Sequence, residues 1–318
     1  MSASFATALS AARDAAAAQH YPQGALYVVA TPIGNLADIT LRALHVLQLA
    51  DAVACEDTRH TQALLRAYGI DKSAQQWMAV HQHNEAEAAH NVVQRLQRGD
   101  RVAYVSDAGT PGVSDPGARL VSAVQAAGLR ALPLPGASSV TAAISVAGAL
   151  GRSAGASAPL AGGFVFAGFL PTRTTERNAA VQALTAEPRC TVLLEAPHRI
   201  EDLAAALGVL SDRQVTLARE ISKQFEEIAT MPAHALADWL GGGASRSRGE
   251  FVIVVHPAPQ LAEENASLTE TELRTLRLLT AEVPLKTAVR LAAELTGAAR
   301  NALYEAALAL KNEPKSGG

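Results

Sequence analysis

Residues 102–117, VAYVSDAGTPGVSDPG, combine a carboxylate with a glycine- and proline-rich loop. An apolar run of β type ends on Ser106 and Asp107, and a loop containing Gly109, Thr110, Pro111 and Gly112 follows. In α/β proteins, ligand crevices form where a strand's carboxyl end meets such a loop. A plain strand-to-helix turn needs far fewer glycines, prolines and aspartates. Asp115 suits a helix N-cap and Pro116 the first helical position, where a missing N–H has no cost.

Five other stretches place polar side chains after apolar runs. Thr31-Pro32-Ile33-Gly34-Asn35 follows the first. It has one glycine where a dinucleotide-binding turn shows G-x-G-x-x-G, and no P-loop pattern occurs, so cradles for nucleotide phosphates are disfavoured. Cys55-Glu56-Asp57-Thr58-Arg59 offers acidic and basic groups that either orient a polar substrate or pair with each other at a helix start. Pro135-Gly136-Ala137-Ser138-Ser139 opens a helical pattern whose free N–H groups favour polar ligand atoms. Further on stand Glu195-Ala196-Pro197-His198-Arg199 and Arg219-Glu220-Ile221-Ser222-Lys223, each after a β run. His198 alone is weak as a base, since a lone histidine more often serves as a structural hydrogen-bonder. No metal-ligand spacing is present.

The elements that must position these groups alternate. From residue 25, strand-like runs (ALYVVATP, AVACEDT, WMAVHQH, RVAYVSD, LRALPLPG) alternate with helical patterns, including one continuous amphipathic stretch, NLADITLRALHVLQLA. Such alternation implies a largely parallel sheet covered on both faces. Residues 151–163, GRSAGASAPLAGG, have linker composition. They separate an α/β domain over 25–150 from a second over 164–257. Residues 1–24 read as a frayed Ala-rich helical extension. Residues 268–312 form a small helical appendix with helix-turn-helix rhythm, Gly297 at its turn.

Composition narrows the class. The chain has 318 residues, 49% hydrophobic and 18% charged, with a net charge of −3, which describes a globular protein without a dominant basic field. The two cysteines lie in apolar β runs, so a reducing cytoplasm is expected. No apolar run reaches the roughly 18 residues of a membrane span, and residues 1–24 lack a secretory leader's basic and apolar regions.

Taken in series, TPIGNLADIT, CEDTRHT, VSDAGTPGVSDPG, LPGASSVTAAIS, GFLP, EAPHR, AREISK and GEFVIVV closely resemble the ribosomal RNA small subunit methyltransferase I family, which is similar in fold to the tetrapyrrole methylases. The resemblance runs from about residue 26 to 255 and into the C-terminal helices. It implies two α/β domains of tetrapyrrole-methylase type with the cofactor in the cleft between them. It also implies methyl transfer from S-adenosylmethionine to the 2′-oxygen of a cytidine in the decoding region of 16S rRNA, by a homodimer acting on the 30S subunit.

Carried over, Pro32, Ile33 and Gly34 would line the cofactor by backbone. Asp107, Gly109 and Thr110 would hold its polar groups, and Ser138 and Ser139 would close the pocket. Candidates to orient or deprotonate the 2′-hydroxyl are Glu195, Lys223, Glu56 and Asp57, with no choice among them. Arg59, Arg199 and Arg219, with Lys286, Arg290 and Arg300 of the appendix, are candidate RNA contacts, since cations position RNA without reading bases. Two other readings stand beside this one: a tetrapyrrole methylase, and an RNA-binding assembly factor without activity.

Overall fold

A computed structural model describes residues 5–81, 83–149, 163–243, 245–258 and 268–312. The first half runs α1 (Ala6–Ala16), β1 (Ala25–Val29), α2 (Leu41–Leu49), β2 (Ala52–Cys55), α3 (Thr58–Ala67), β3 (Trp77–Ala79), α4 (Glu85–Gln97), β4 (Val102–Val105), α5 (Gly117–Ala126), β5 (Arg130–Leu134) and α6 (Ser139–Ala147). Its strands order as β3-β2-β4-β1-β5, every pair parallel. Strands β2 and β4 are buried at every residue, as a parallel sheet covered on both faces requires.

The second half runs β6 (Phe164–Phe169), α7 (Thr174–Leu184), β7 (Cys190–Glu195), α8 (Ile200–Leu207), β8 (Gln214–Arg219), β9 (Glu227–Pro232), α9 (Leu236–Gly241) and β10 (Phe251–Val255). Its sheet orders as β6-β7-β10-β8-β9, and only β6 and β7 are parallel. The largely parallel expectation therefore holds for the first half alone. Residues 220–226, between β8 and β9, are too few for a crossover of a dozen or more residues, so this pair returns as a hairpin.

Two local expectations are corrected. The stretch read as one helix is two pieces. Asn35 caps a short 3₁₀ turn, Leu36–Asp38, and Thr40 then caps α2 by accepting the Ala43 N–H at 3.2 Å. The N-terminal helix does not fray free of the domain. Ala12 of α1 is buried in the same core as Leu44 and Leu47, and Phe5 meets the Tyr68 ring edge-on at 5.2 Å.

Both sheets belong to one compact unit ending at Ala258. The proposed linker, apart from Gly163, lies outside the described residues. A second unit holds α10 (Glu270–Glu282), α11 (Leu285–Thr296) and α12 (Arg300–Asn312). Thr269 and Glu272 form a capping box at the start of α10, and Gly297 ends α11 with φ +77°, a left-handed conformation that glycine adopts without steric cost. Leu276, Val289, Ala292, Leu303 and Ala307 make this unit's own core. Lys286, Arg290 and Arg300 are exposed on it, and Arg290 pairs with Glu294 at 3.1 Å.

Candidate functional site

Three loops of the first half are stitched side by side at the carboxyl ends of β1, β4 and β5. The Thr31 N–H donates to the Gly109 carbonyl at 2.9 Å, and the Gly109 N–H returns the bond at 3.0 Å. Gly109 sits at φ +79°, and a Cβ there would stand 3.3 Å from the Ile33 side chain. Thr110 Oγ1 donates to the Ala137 carbonyl at 2.9 Å, tying in the third loop. A Cβ on Gly136 would meet Ala30 Cβ at 2.9 Å, so glycine permits this approach.

These loops face the second half across a cleft of about 480 Å³. Ile33, Asp107, Gly109, Thr110, Ser138 and Ser139 line it from the first half, and Glu195, Pro197, Ile221, Glu250 and Phe251 from the second. The chain neighbours of Ile33 are not in the lining: Pro32 is buried and Gly34 is exposed. Among the described residues, the lining holds the carboxylates Glu56, Asp107, Asp115, Glu195 and Glu250 and no lysine, arginine or histidine. A cleft with only anionic charges and mostly apolar walls favours a cationic, partly apolar ligand and repels phosphates.

The halves are joined beside it. The Lys223 stem packs so closely over Gly34 that a Cβ there would lie 2.3 Å from Lys223 Cγ. Ser222 Oγ donates to Asp38. Glu220 and Ser222 have φ of +52° and +69°, and Ile221 between them enters the cleft. Left-handed backbone at two non-glycine residues is strain, held by these contacts.

Each carboxylate has its own surroundings. Asp115 is not the N-cap. The helix α5 begins at Gly117 with Pro116 in the cap position. From one residue earlier, Asp115 accepts from the Tyr104 hydroxyl at 2.9 Å, Gly117 N–H at 2.8 Å and Gly112 N–H at 2.7 Å. Burial, and then Asp115, push the Tyr104 phenol up. Asp107 Oδ1 accepts the Asp57 N–H at 3.2 Å, which couples the two strand-end loops. Asp57 caps α3, accepting from Arg59 N–H at 2.8 Å and His60 N–H at 3.2 Å. Those two bonds hold its carboxyl below the usual range, and it stays outside the lining. As a proton acceptor it is the wrong member of the pair.

Glu56 points the other way. It is half-buried, lines the cleft, and has no hydrogen bond or ion pair among the described residues. Burial, followed by Asp107 and Asp115, raises its carboxyl above the ordinary value. Glu195 is fully buried. Its Oε1 accepts the Ala196 N–H at 2.9 Å and lies 3.1 Å from Arg199 Nε, while its Oε2 has no partner.

Several cations have tasks other than the one their type suggests. Arg219 is 7% exposed and donates to the carbonyls of Phe225 at 3.0 Å, Arg248 at 3.2 Å and Ser245 at 3.4 Å, so it braces a turn and is closed to RNA. Arg199 reaches the Leu170 carbonyl at 2.5 Å and sits against Glu195, which again turns it inward. Lys223 pairs with Glu220 at 2.8 Å and Glu250 at 3.1 Å. Burial works against its charge, the two carboxylates outweigh it, and the ammonium pKa rises, the reverse of what a general base needs. Arg59 is exposed at the start of α3, and His198 lies exposed outside the cleft lining. Ile221 and Glu250, both in the lining, were not legible as site residues.

Residues 25–237 match the tetrapyrrole (corrin/porphyrin) methylases, and residues 266–311 match the RsmI C-terminal HTH domain. The Ribosomal RNA small subunit methyltransferase I of Pseudomonas aeruginosa is 45% identical over 287 residues, covering 90% of this chain and 97% of that protein. The protein of the same name from Escherichia coli O157:H7 is 44% identical over 290 residues, 90% of this chain and 95% of that one. Among solved structures, a cobalamin biosynthetic enzyme, cobalt precorrin-4 methyltransferase, superposes with TM-score 0.52 at 18% identity, over 74% of this chain and 98% of that one, a likeness of fold. The chain belongs to the ribosomal RNA small subunit methyltransferase I family, methyltransferases of tetrapyrrole-methylase type.

Proposed function

We propose that the protein transfers the methyl group of S-adenosylmethionine to the ribose 2′-oxygen of a cytidine in 16S rRNA of the small ribosomal subunit, as a homodimer in the cytoplasm. The observation that carries the donor assignment is the cleft itself, whose charged groups are all carboxylates and whose walls are mostly apolar. S-adenosylmethionine is a cation of mixed polarity without phosphates, and it supplies an electrophilic methyl on a sulfonium. Asp107 would neutralise that charge. Ile33 and Ile221 would pack on its apolar part, and the unpartnered Glu195 Oε2 would accept from one of its hydroxyl or amino groups. Ser138 and Ser139 would close the pocket beside the free N–H groups of α6.

Methyl transfer is chiefly a matter of holding three atoms in line. A ribose hydroxyl is a weak nucleophile at neutral pH and gains from a positioned base. Of the four candidates, Glu56 fits that role. Asp57 caps a helix, Lys223 is ion-paired, and Glu195 is enclosed against Arg199. In the step, the 2′-O–H bond gives its proton to the Glu56 carboxylate as the O–CH₃ bond forms. Held by the cleft residues, the donor would supply the methyl from its sulfonium, the sulfur departing as a neutral thioether, and Glu56 would pass its proton on to solvent. The exposed cations Arg59, Lys286, Arg290 and Arg300 are proposed to hold RNA phosphates.

The test offers labelled S-adenosylmethionine with either undermethylated 30S particles or a porphyrin or corrin precursor. Label is expected in the RNA. Label in the macrocycle would make the protein a tetrapyrrole methylase, and label in neither would make it an assembly factor.

A further inference from the structure

A second cavity, about 560 Å³, adjoins the cleft and shares Glu56, Ser114 and Asp115 with it. Its size falls within the roughly 300–1,000 Å³ of small-molecule sites. Six of its residues stand outside the donor cleft, His81, His83, Glu85, Pro116, Ala118 and Arg119, and four of them carry polar side chains. The His81 and His83 rings lie 5.9 Å apart at 58°. His81 Nδ1 is buried without a hydrogen-bond partner, and its backbone N–H is fixed by Asn84 Oδ1 at 2.9 Å. Arg119 stands at the rim with its side chain 80% exposed, held by Glu85, which is 17% exposed.

We infer that this cavity seats the acceptor nucleotide, with the imidazoles of His81 and His83 against its base, Arg119 on an adjoining phosphate, and its ribose turned toward Glu56. The inference rests on the RNA methylation proposed above and adds where the nucleotide sits. Three observations support it. The shared wall is Glu56, so a ribose in the cavity reaches the carboxylate that also faces the donor. Sequence-specific RNA proteins bind unstacked bases on aromatic rings, histidine among them, and the unpartnered His81 Nδ1 adds a polar contact for a base edge.

The charge is also graded. Of the cavity's charged groups, Glu56, Glu85 and Asp115 are half-buried and Arg119 is exposed. Phosphates are therefore repelled inward and bound outward, while hydroxyl and amino donors are welcome inside. A macrocycle carrying several carboxylates would meet repulsion at the same wall.

The experiment measures methylation of undermethylated 30S particles by His83→Ala, His83→Phe, Arg119→Ala and Ala118→Trp. Donor affinity by calorimetry and thermal melting are followed alongside. His83→Ala is expected to raise KM for the particles about tenfold, from the loss of one base–aromatic contact, with Phe restoring most of it. Arg119→Ala should raise KM and lower the slope of log KM against log salt by about one, as for one lost phosphate contact. Ala118→Trp, on an exposed cavity residue, should raise KM by filling the space. Donor affinity should stay at the wild-type value throughout.

Unchanged KM in the well-folded variants, with wild type labelling RNA normally, would overturn the inference. So would a lowered KM in Ala118→Trp. Failure of the wild type to label RNA at all would instead overturn the reading beneath it.

Discussion

Replacing Glu56 with glutamine should lower the turnover of 30S methylation by about 10²–10⁴-fold, the range of a positioned general base, with donor affinity near wild type. Glutamine keeps the shape and loses only the ability to take a proton. Glu56 is the cleft carboxylate free of hydrogen bonds and ion pairs among the described residues, and it lines both cavities.

The pH dependence follows from its environment. Burial and the neighbouring carboxylates Asp107 and Asp115 raise its pKa. The group must be ionised to act. Single-turnover rates should therefore be full above that raised value and fall as pH drops through it, at a pH higher than an ordinary glutamate would give. In Glu56→Gln the residual rate should show no such fall. A variant with wild-type turnover would remove Glu56 from the chemistry.

The second large effect concerns the donor. Asp107→Asn should weaken S-adenosylmethionine binding about tenfold, or ~1.4 kcal/mol. A fully buried charged contact would give more, and the exposure of Asp107 to solvent lowers the figure. Asparagine is the informative substitution because its carbonyl oxygen can still accept the Asp57 N–H, the bond that joins the two strand-end loops. The melting temperature should thus hold while affinity falls. Asp107→Ala removes charge and bond together and should lower both. Calorimetry and thermal melting separate the two contributions, and unchanged affinity in Asp107→Asn would assign Asp107 a purely structural part.

Much of this site was legible in the sequence because strand ends announce themselves. An apolar run that stops on Ser106-Asp107-Ala108-Gly109 has a buried strand behind it and a loop in front, and the same holds at Thr31 and Pro135. What the residue types could not convey was direction. Glu56 and Asp57 are adjacent at the end of β2. One turns into the cleft and the other caps α3, and the sequence alone left them equivalent.

Arg219 shows the same limit. A guanidinium after a strand suits RNA, yet its partners are the carbonyls of residues 225, 245 and 248, which only the folded turn brings near. The mixed second sheet was within reach of loop length, since residues 220–226 leave no room for a crossover. The second cavity was not, because His81 and His83 precede α4 whereas Arg119 rides on α5.

Which atom of the RNA receives the methyl group is the most direct test of ribose-directed chemistry. Particles labelled by the wild-type protein are stripped to RNA and hydrolysed in alkali, which cleaves next to every free 2′-hydroxyl. The predicted result is label in an alkali-resistant dinucleotide with a 2′-O-methylcytidine at its 5′ side. Label released in mononucleotides would place the methyl on a base and contradict the ribose-directed chemistry assigned to Glu56.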